Sequence, residues 1–118
     1  MPVLGPRAFP KSVRLRRRRE FLQLQRQGQR RHSRSFVVIQ TAGRARTSRL
    51  GVTVSSRVGN AVVRNRVKRL VRDIFRNRRL SLPAIVDVVV IAKPDAAQIS
   101  HAQATFELER ALAIAARS

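Results

Sequence analysis

The chain contains no cysteine, tryptophan or tyrosine, and only six of its 118 residues are Asp or Glu. Without cysteine there are no disulfides, thiolate metal ligands or thiol nucleophiles, which suits a reducing compartment. No apolar run reaches the roughly 18 residues of a membrane span. The N-terminal stretch MPVLGPRAFPKSV is interrupted by prolines and lacks the continuous apolar region of a signal peptide. We therefore expect a cytoplasmic protein that does not enter a membrane.

Residues typical of catalytic and metal sites are also scarce. The two histidines, His32 and His101, have no adjacent acid or second histidine, and the carboxylates are scattered. Gly51 and Gly59 are eight positions apart and lack the lysine of a phosphate-binding loop. The sequence therefore predicts neither a catalytic residue nor a metal ligand on this chain.

Basic residues, by contrast, are abundant and unevenly distributed. The net charge is +20; residues 1–79 hold 23 Lys and Arg against two acids (+21), whereas residues 80–118 hold three against four (−1). Such a charge repels itself unless an anionic partner screens it. Of the 26 basic residues 23 are Arg, whose planar guanidinium pairs with phosphate through two parallel hydrogen bonds. The first two-thirds of the chain is predicted to bind a polyanion.

The hydrophobic pattern predicts one α+β domain over residues 1–118, a small mixed sheet with three helices packed on it. Asn60 and Ser100 are the expected N-caps of the last two helices, the second with Gln103 in a capping box. Residues 86–92 are apolar at nearly every position, which is typical of a central strand. The predicted elements are an arm at 1–13, a helix at 16–28, a loop at 29–34, strands at 36–41, 48–55 and 86–92, a helix at 60–79, and a final helix packed through Thr105, Leu108, Ala111, Leu112 and Ala115.

The helix at 60–79, NAVVRNRVKRLVRDIFRNRR, carries eight Lys and Arg residues. At about 100° per residue, its apolar residues form one stripe and its basic residues fill the opposite arc, with Arg64 at the border. Basic residues at i, i+4 spacing destabilise a helix by roughly 0.2–0.5 kcal/mol per pair, and Asp73 is the only acid in this helix to offset them. The apolar stripe consists of Val67, Leu70, Val71, Ile74 and Phe75.

Three interpretations of this basic face compete. A solvated face normally mixes charges of both signs, which this one does not. A DNA recognition helix would follow a turn-linked helix, but a strand is predicted there instead. A surface for structured RNA needs only Arg and Lys on a rigid face, with a residue such as Asn65 for bases or sugar hydroxyls. We favour RNA and keep DNA as an alternative.

The run GVTVSSRVGNAVVRNRVKRLVRDIFR resembles the signature of the bacterial ribonuclease P protein subunit, with the Arg-Asn-Arg motif at Arg64, Asn65 and Arg66. The resemblance extends to RLRRRREF, FVVIQ and DVVVIAKP. It implies a helix, three strands, a helix, a strand and a helix, similar to a domain of a small-subunit ribosomal protein. It also implies a left-handed crossover through the basic helix, where general rules favour a right-handed one.

The resemblance further implies that a catalytic RNA, with Mg²⁺, removes the 5′ leader of precursor tRNA while the protein binds both RNAs and needs no protein partner. The residues implied at the catalytic RNA are Arg57, Asn60, Arg64, Asn65, Arg66, Lys68, Arg69 and Arg72. Phe21, Gln25 and Ile39 match the positions that line the family's leader-binding cleft, although only Phe21 is aromatic. Plain core packing is an alternative role for Phe21. A structural RNA-binding protein such as a ribosomal component is the rival function.

Overall fold

The computed structural model describes residue 14, residues 18–43 and residues 45–112. The predicted arm at 1–13 and Ala115 lie outside these residues. The elements are α1 (Arg18–Gln27), β1 (Gln29–His32), β2 (Phe36–Ala42), β3 (Arg49–Thr53), α2 (Ala61–Arg78), β4 (Val86–Ala92) and α3 (His101–Ala111), with 3₁₀ turns at Arg79–Ser81 and Pro94–Gln98.

The strands form one mixed sheet in the order β1-β2-β4-β3. β2 pairs antiparallel with both β1 and β4, whereas β3 and β4 are parallel. The chain passes from β3 to β4 through α2, and this is the crossover for which the resemblance implies a left hand. Residue 14 adds an isolated parallel bridge to Leu50, on the side of β3 that faces away from β4.

One face of the sheet packs against α2 and α3. Alternate side chains of a strand point to opposite faces, so Phe36 and Val38 of β2 and Val88 and Val90 of β4 join the buried stripe of α2 in one apolar core. That stripe is Val67, Val71, Ile74 and Phe75, with Leu70 partly buried, as the helical periodicity predicts.

The other face of the sheet packs against α1. Val37, Ile39 and Val89 meet Leu24 in a small second core, against which Phe21 and Ile91 are partly buried. Any Cβ at position 51 would overlap the Phe21 ring, so glycine is what lets this ring lie on the backbone of β3. Both central strands are thus covered on both faces, as predicted for residues 86–92.

The predicted loop at 29–34 is wrong in part, because Gln29–His32 forms the edge strand β1. All four of its residues are exposed, so it has no apolar alternation to find. Its strand geometry comes from antiparallel pairing with residues 37–40 of β2.

The packed face of α3 also differs from the prediction at one position. Thr105 is only partly buried and donates its hydroxyl hydrogen to the His101 carbonyl at 2.8 Å, whereas Ala104 and Glu107 are buried. The Glu107 carboxylate accepts hydrogen bonds from Ser33 Oγ (2.6 Å) and Ser35 N (2.9 Å), which compensates its burial.

Candidate nucleic-acid interface

The position of the basic face follows from how α2 begins and what it buries. Asn60 Oδ1 accepts a hydrogen bond from the backbone N–H of Val63 at 3.0 Å, which confirms the predicted N-cap. With the apolar stripe against the sheet, the polar residues of the helix are directed to the outside.

A cleft of about 290 Å³ lies along this polar face. Residue 14, held beside β3 by its bridge to Leu50, forms part of its wall. Among the residues that the structure describes, the side chains that line it carry five guanidinium or ammonium groups and one amide, and no carboxylate. We call it the basic cleft; its residues are Arg14, Asn65, Lys68, Arg69, Arg72 and Arg76.

The electrostatics of the basic cleft favour an anion. Burial, and secondarily the charge of Arg14, lower the pKa of the Arg72 guanidinium. Mutual repulsion of this kind is relieved when a phosphate or another anion lies between the cations. Four residues predicted from the sequence lie here together, namely Asn65, Lys68, Arg69 and Arg72.

Asp73, the only acid of α2, is already paired. Its carboxylate accepts a hydrogen bond from Arg76 and lies 3.2 Å from His101 Nε2. The Arg76 hydrogen bond is the main cause that lowers the pKa of Asp73, with a smaller contribution from His101. His101 is exposed, and α3 brings its ring to this acid 28 positions away, a pairing that its sequence neighbours do not show.

The other predicted residues lie around the N-terminal half of α2. Arg66 is exposed but donates to the backbone carbonyls of Ala97 and of Ile99 (3.4 Å), which fastens the 3₁₀ turn Pro94–Gln98 to the helix. Arg64 is partly buried, in keeping with its border position, and no described residue hydrogen-bonds its buried Nε. Arg57 and Asn60 are exposed just before the helix.

A second candidate surface lies beside α1. The helix crosses the sheet, since Phe21 lies on Gly51 of β3 and Arg30 of β1 donates from Nη2 to the Gln25 carbonyl at 2.9 Å. At about 100° per residue, Phe21 and Gln25 project to the same flank of α1. Beyond that flank, each of the four strands contributes one residue to a row of paired positions on this face of the sheet. These residues are Thr53, Ile91, Val37 and His32.

We call this strip between α1 and the row the leader groove, after the predicted cleft. Ile39 does not line it, because its side chain is 0 % exposed beneath α1. The residue of β2 in the groove row is Val37, two positions earlier. Phe21 is partly buried against Gly51, as its alternative packing role predicts, and lies on the flank of α1 beside this row.

An ion-pair network holds α1 to the sheet. Arg49 of β3 donates from Nε and Nη2 to the two carboxylate oxygens of Asp87 at 3.0 and 2.8 Å, and its Nη2 lies 2.8 Å from Glu20 of α1. The hydrogen bond to Asp87 is the main cause that raises the pKa of Arg49. The sequence did not indicate this network. By joining Glu20 to the sheet, it sets the rotation of α1 about its axis, so that Phe21 and Gln25 face the groove.

The donor set of the basic cleft does not fit a directly bound divalent metal. Mg²⁺ takes oxygen ligands, and the cleft offers cations and one amide. Within residues 14, 18–43 and 45–112, no group of three His, Cys, Asp or Glu residues could hold a metal ion.

The fold and its surfaces define a small, basic α+β protein whose cleft beside α2 is lined by cations. Comparison with known proteins narrows this class. The family described as Ribonuclease P matches residues 9–116. The chain is 39% identical over 105 residues to the ribonuclease P protein component of Desulforapulum autotrophicum, covering 89% of this chain and 90% of that one.

Solved structures agree with this match. A Staphylococcus aureus RNase P protein mutant with defective mRNA degradation activity superposes with a TM-score of 0.80 and 33% identity, covering 89% of each chain. The RNase P protein of Thermotoga maritima gives a TM-score of 0.76 and 33% identity, covering 84% of this chain and 94% of that one. The chain belongs to the ribonuclease P protein family, the protein component of a tRNA-processing endoribonuclease. The order of its helices and strands agrees with that family's fold, and none of its described helices could cross a membrane.

Proposed function

We propose that this protein binds the catalytic RNA subunit through the basic cleft and holds the 5′ leader of precursor tRNA in the leader groove. The RNA subunit supplies the catalytic groups and holds Mg²⁺, and the protein contributes affinity and position. The observation that carries the proposal is the basic cleft itself, to whose lining the described part of the chain contributes cations and an amide but no carboxylate.

The chemistry of the cleft suits an RNA backbone. Guanidinium and ammonium groups on a rigid helix contact phosphates, and the Asn65 amide can pair with a base edge or a 2′-hydroxyl. Each phosphate that the protein neutralises releases counterions, so the folded RNA needs less Mg²⁺ to hold its strands together. We therefore expect the protein to matter most at low Mg²⁺.

The predicted interface residues have different parts in this proposal. Asn65, Lys68, Arg69 and Arg72 line the cleft, and the unpredicted Arg76 joins them. Arg66 keeps its bonds to the 94–99 segment and contacts RNA with its remaining N–H donors. Arg57, Asn60 and Arg64 extend the surface around the start of α2.

The test is reconstitution with the catalytic RNA. At low Mg²⁺ the wild-type protein should increase 5′ cleavage of precursor tRNA, and Lys68→Ala with Arg69→Ala should remove most of that increase. The same variant should make the slope of log RNA affinity against log salt concentration shallower by about 1–2, because two phosphate contacts are lost.

The matched control removes two positive charges elsewhere. Arg46→Ala with Arg110→Ala alters exposed residues outside the basic cleft, and it should leave the increase at low Mg²⁺ nearly intact. If the wild-type protein gives no increase while the RNA alone is active at high Mg²⁺, the proposal is wrong.

The leader groove has a separate test. Base stacking on an aromatic ring contributes roughly 1–3 kcal/mol per base, so Phe21→Ala should weaken holoenzyme binding of precursor tRNA by about fivefold or more. Affinity for mature tRNA, which has no leader, should not change. Equal losses for both RNAs would mean that Phe21 serves only the packing of α1.

A further inference from the structure

The leader groove has two ends, and the sheet register defines both. Its row begins at Thr53 of β3, continues through Ile91 and Val37, and ends at His32 of β1. At the β3 end, residue 14 belongs both to the bridge with Leu50 and to the basic cleft, so this end of the groove is the one nearer the cleft. At the other end the groove opens over the edge strand β1.

The β1 end carries its own positive charge on the groove face. Arg30 pairs with Ile39 and His32 with Val37, so both side chains point to the face that α1 covers. Both residues are exposed. Arg30 Nη2 donates to the Gln25 carbonyl at 2.9 Å, and this bond uses only one of the five N–H donors of the guanidinium. The group is thus held at the end of α1 with donors left for a ligand.

We propose that β1 is a second phosphate-binding site, at which Arg30 and His32 hold the backbone of the leader where it leaves the groove. This inference rests on the proposed function of the groove. Four strands about 4.8 Å apart span about 14 Å. Stacked nucleotides advance about 3.4 Å each, so about four of them cross the sheet before the leader reaches β1. Short leaders occupy the groove alone, and longer ones also contact β1.

The experiment measures holoenzyme affinity for precursor tRNAs whose leaders lengthen one nucleotide at a time from zero. Arg30→Ala with His32→Ala should weaken binding about three- to tenfold for long leaders only, as expected for exposed phosphate contacts. Its effect should set in at a leader about three or four nucleotides longer than the effect of Phe21→Ala. His32→Lys, which adds a permanent charge at an exposed position, should strengthen binding over the same range of lengths.

Arg31→Ala is the matched control on the same strand. Arg31 pairs with Val38 on the opposite face and donates from Nη1 to the Ala111 carbonyl at 3.3 Å. Arg31→Ala removes one positive charge, as the loss of Arg30 does. The affinity of its holoenzyme for precursor tRNA should equal that of the wild type at every leader length.

The outcomes separate this inference from the proposed function. A loss with Phe21→Ala but none with the β1 variants overturns the β1 site and leaves the groove in place. No loss with either variant overturns the groove as well. If Arg30→Ala with His32→Ala already weakens the binding of tRNA without a leader, β1 contacts another part of the RNA and the inference is overturned. An equal loss of affinity with Arg31→Ala also overturns it.

Discussion

The two faces of the sheet are held together by different kinds of interaction. Of the described residues, the face under α2 and α3 buries eighteen apolar ones in one core, whereas the face under α1 buries four and adds the Glu20–Arg49–Asp87 network. Apolar burial is non-directional, but a bidentate ion pair fixes orientation. The first face therefore supplies most of the stability of the fold, and the second sets the position of one helix beside a groove.

The largest effect should come from the core of the first face. Phe75 of α2 is 3 % exposed, and Phe75→Ala should lower the free energy of unfolding by about 3–5 kcal/mol because the cavity cannot fully close. Urea denaturation measures this change in the free energy of unfolding. Val62→Ala on the same helix, at a side chain 77 % exposed, should change stability by less than about 0.5 kcal/mol. Similar losses for the two variants would contradict the assignment of this core.

A smaller loss is expected from the second face. Arg49→Met leaves the buried Asp87 carboxylate without its partner and should cost about 3 kcal/mol. Arg49→Met with Asp87→Leu removes both charges and should regain most of that stability. If α1 is positioned by the network, the double variant should still bind leader-bearing precursor more weakly than wild type. Wild-type affinity in the double variant would show that the network only stabilises.

The smallest effect concerns a single buried carboxylate of α3, that of Glu107. Burial raises the pKa of Glu107, but hydrogen bonds from Ser33, Gln103 and Ser35 outweigh it, so the pKa is lowered overall. A lowered pKa in the folded state stabilises above the unfolded value near 4.3, and this stability is lost as pH falls through the folded value. Glu107→Gln should cost about 1–2 kcal/mol at pH 7. Its unfolding free energy should also fall less steeply than the wild type below about pH 4.3. Parallel pH profiles would contradict the role of this carboxylate.

Local patterns were enough to predict much of the fold. The stripe of α2, the caps at Asn60 and Ser100 and the central strand at 86–92 are properties of neighbouring residues, and all are confirmed. The basic face was predictable for the same reason, since it needs only helical periodicity and a count of acids.

The features that the sequence missed depend on pairing between distant segments. β1 is a strand only because β2 lies beside it, and Asp73 meets His101 only because α3 packs next to α2. Ile39 was assigned to the groove by matching positions, but the register puts it under α1. The burial of Glu107 could not be predicted, because its serine partners are more than 70 positions away.

The charge of β1 has a consequence for the solubility of the folded chain. β1 is an edge of the described sheet, and an edge strand offers unpaired N–H and C=O groups to the sheet of another molecule. Charged side chains discourage such pairing, and Arg30 and Arg31 place one charge on each face of this edge. Arg30, which we propose for RNA binding, and Arg31 therefore both protect the folded chain from edge-to-edge aggregation. Replacing both with valine or isoleucine should produce a chain that folds and then self-associates.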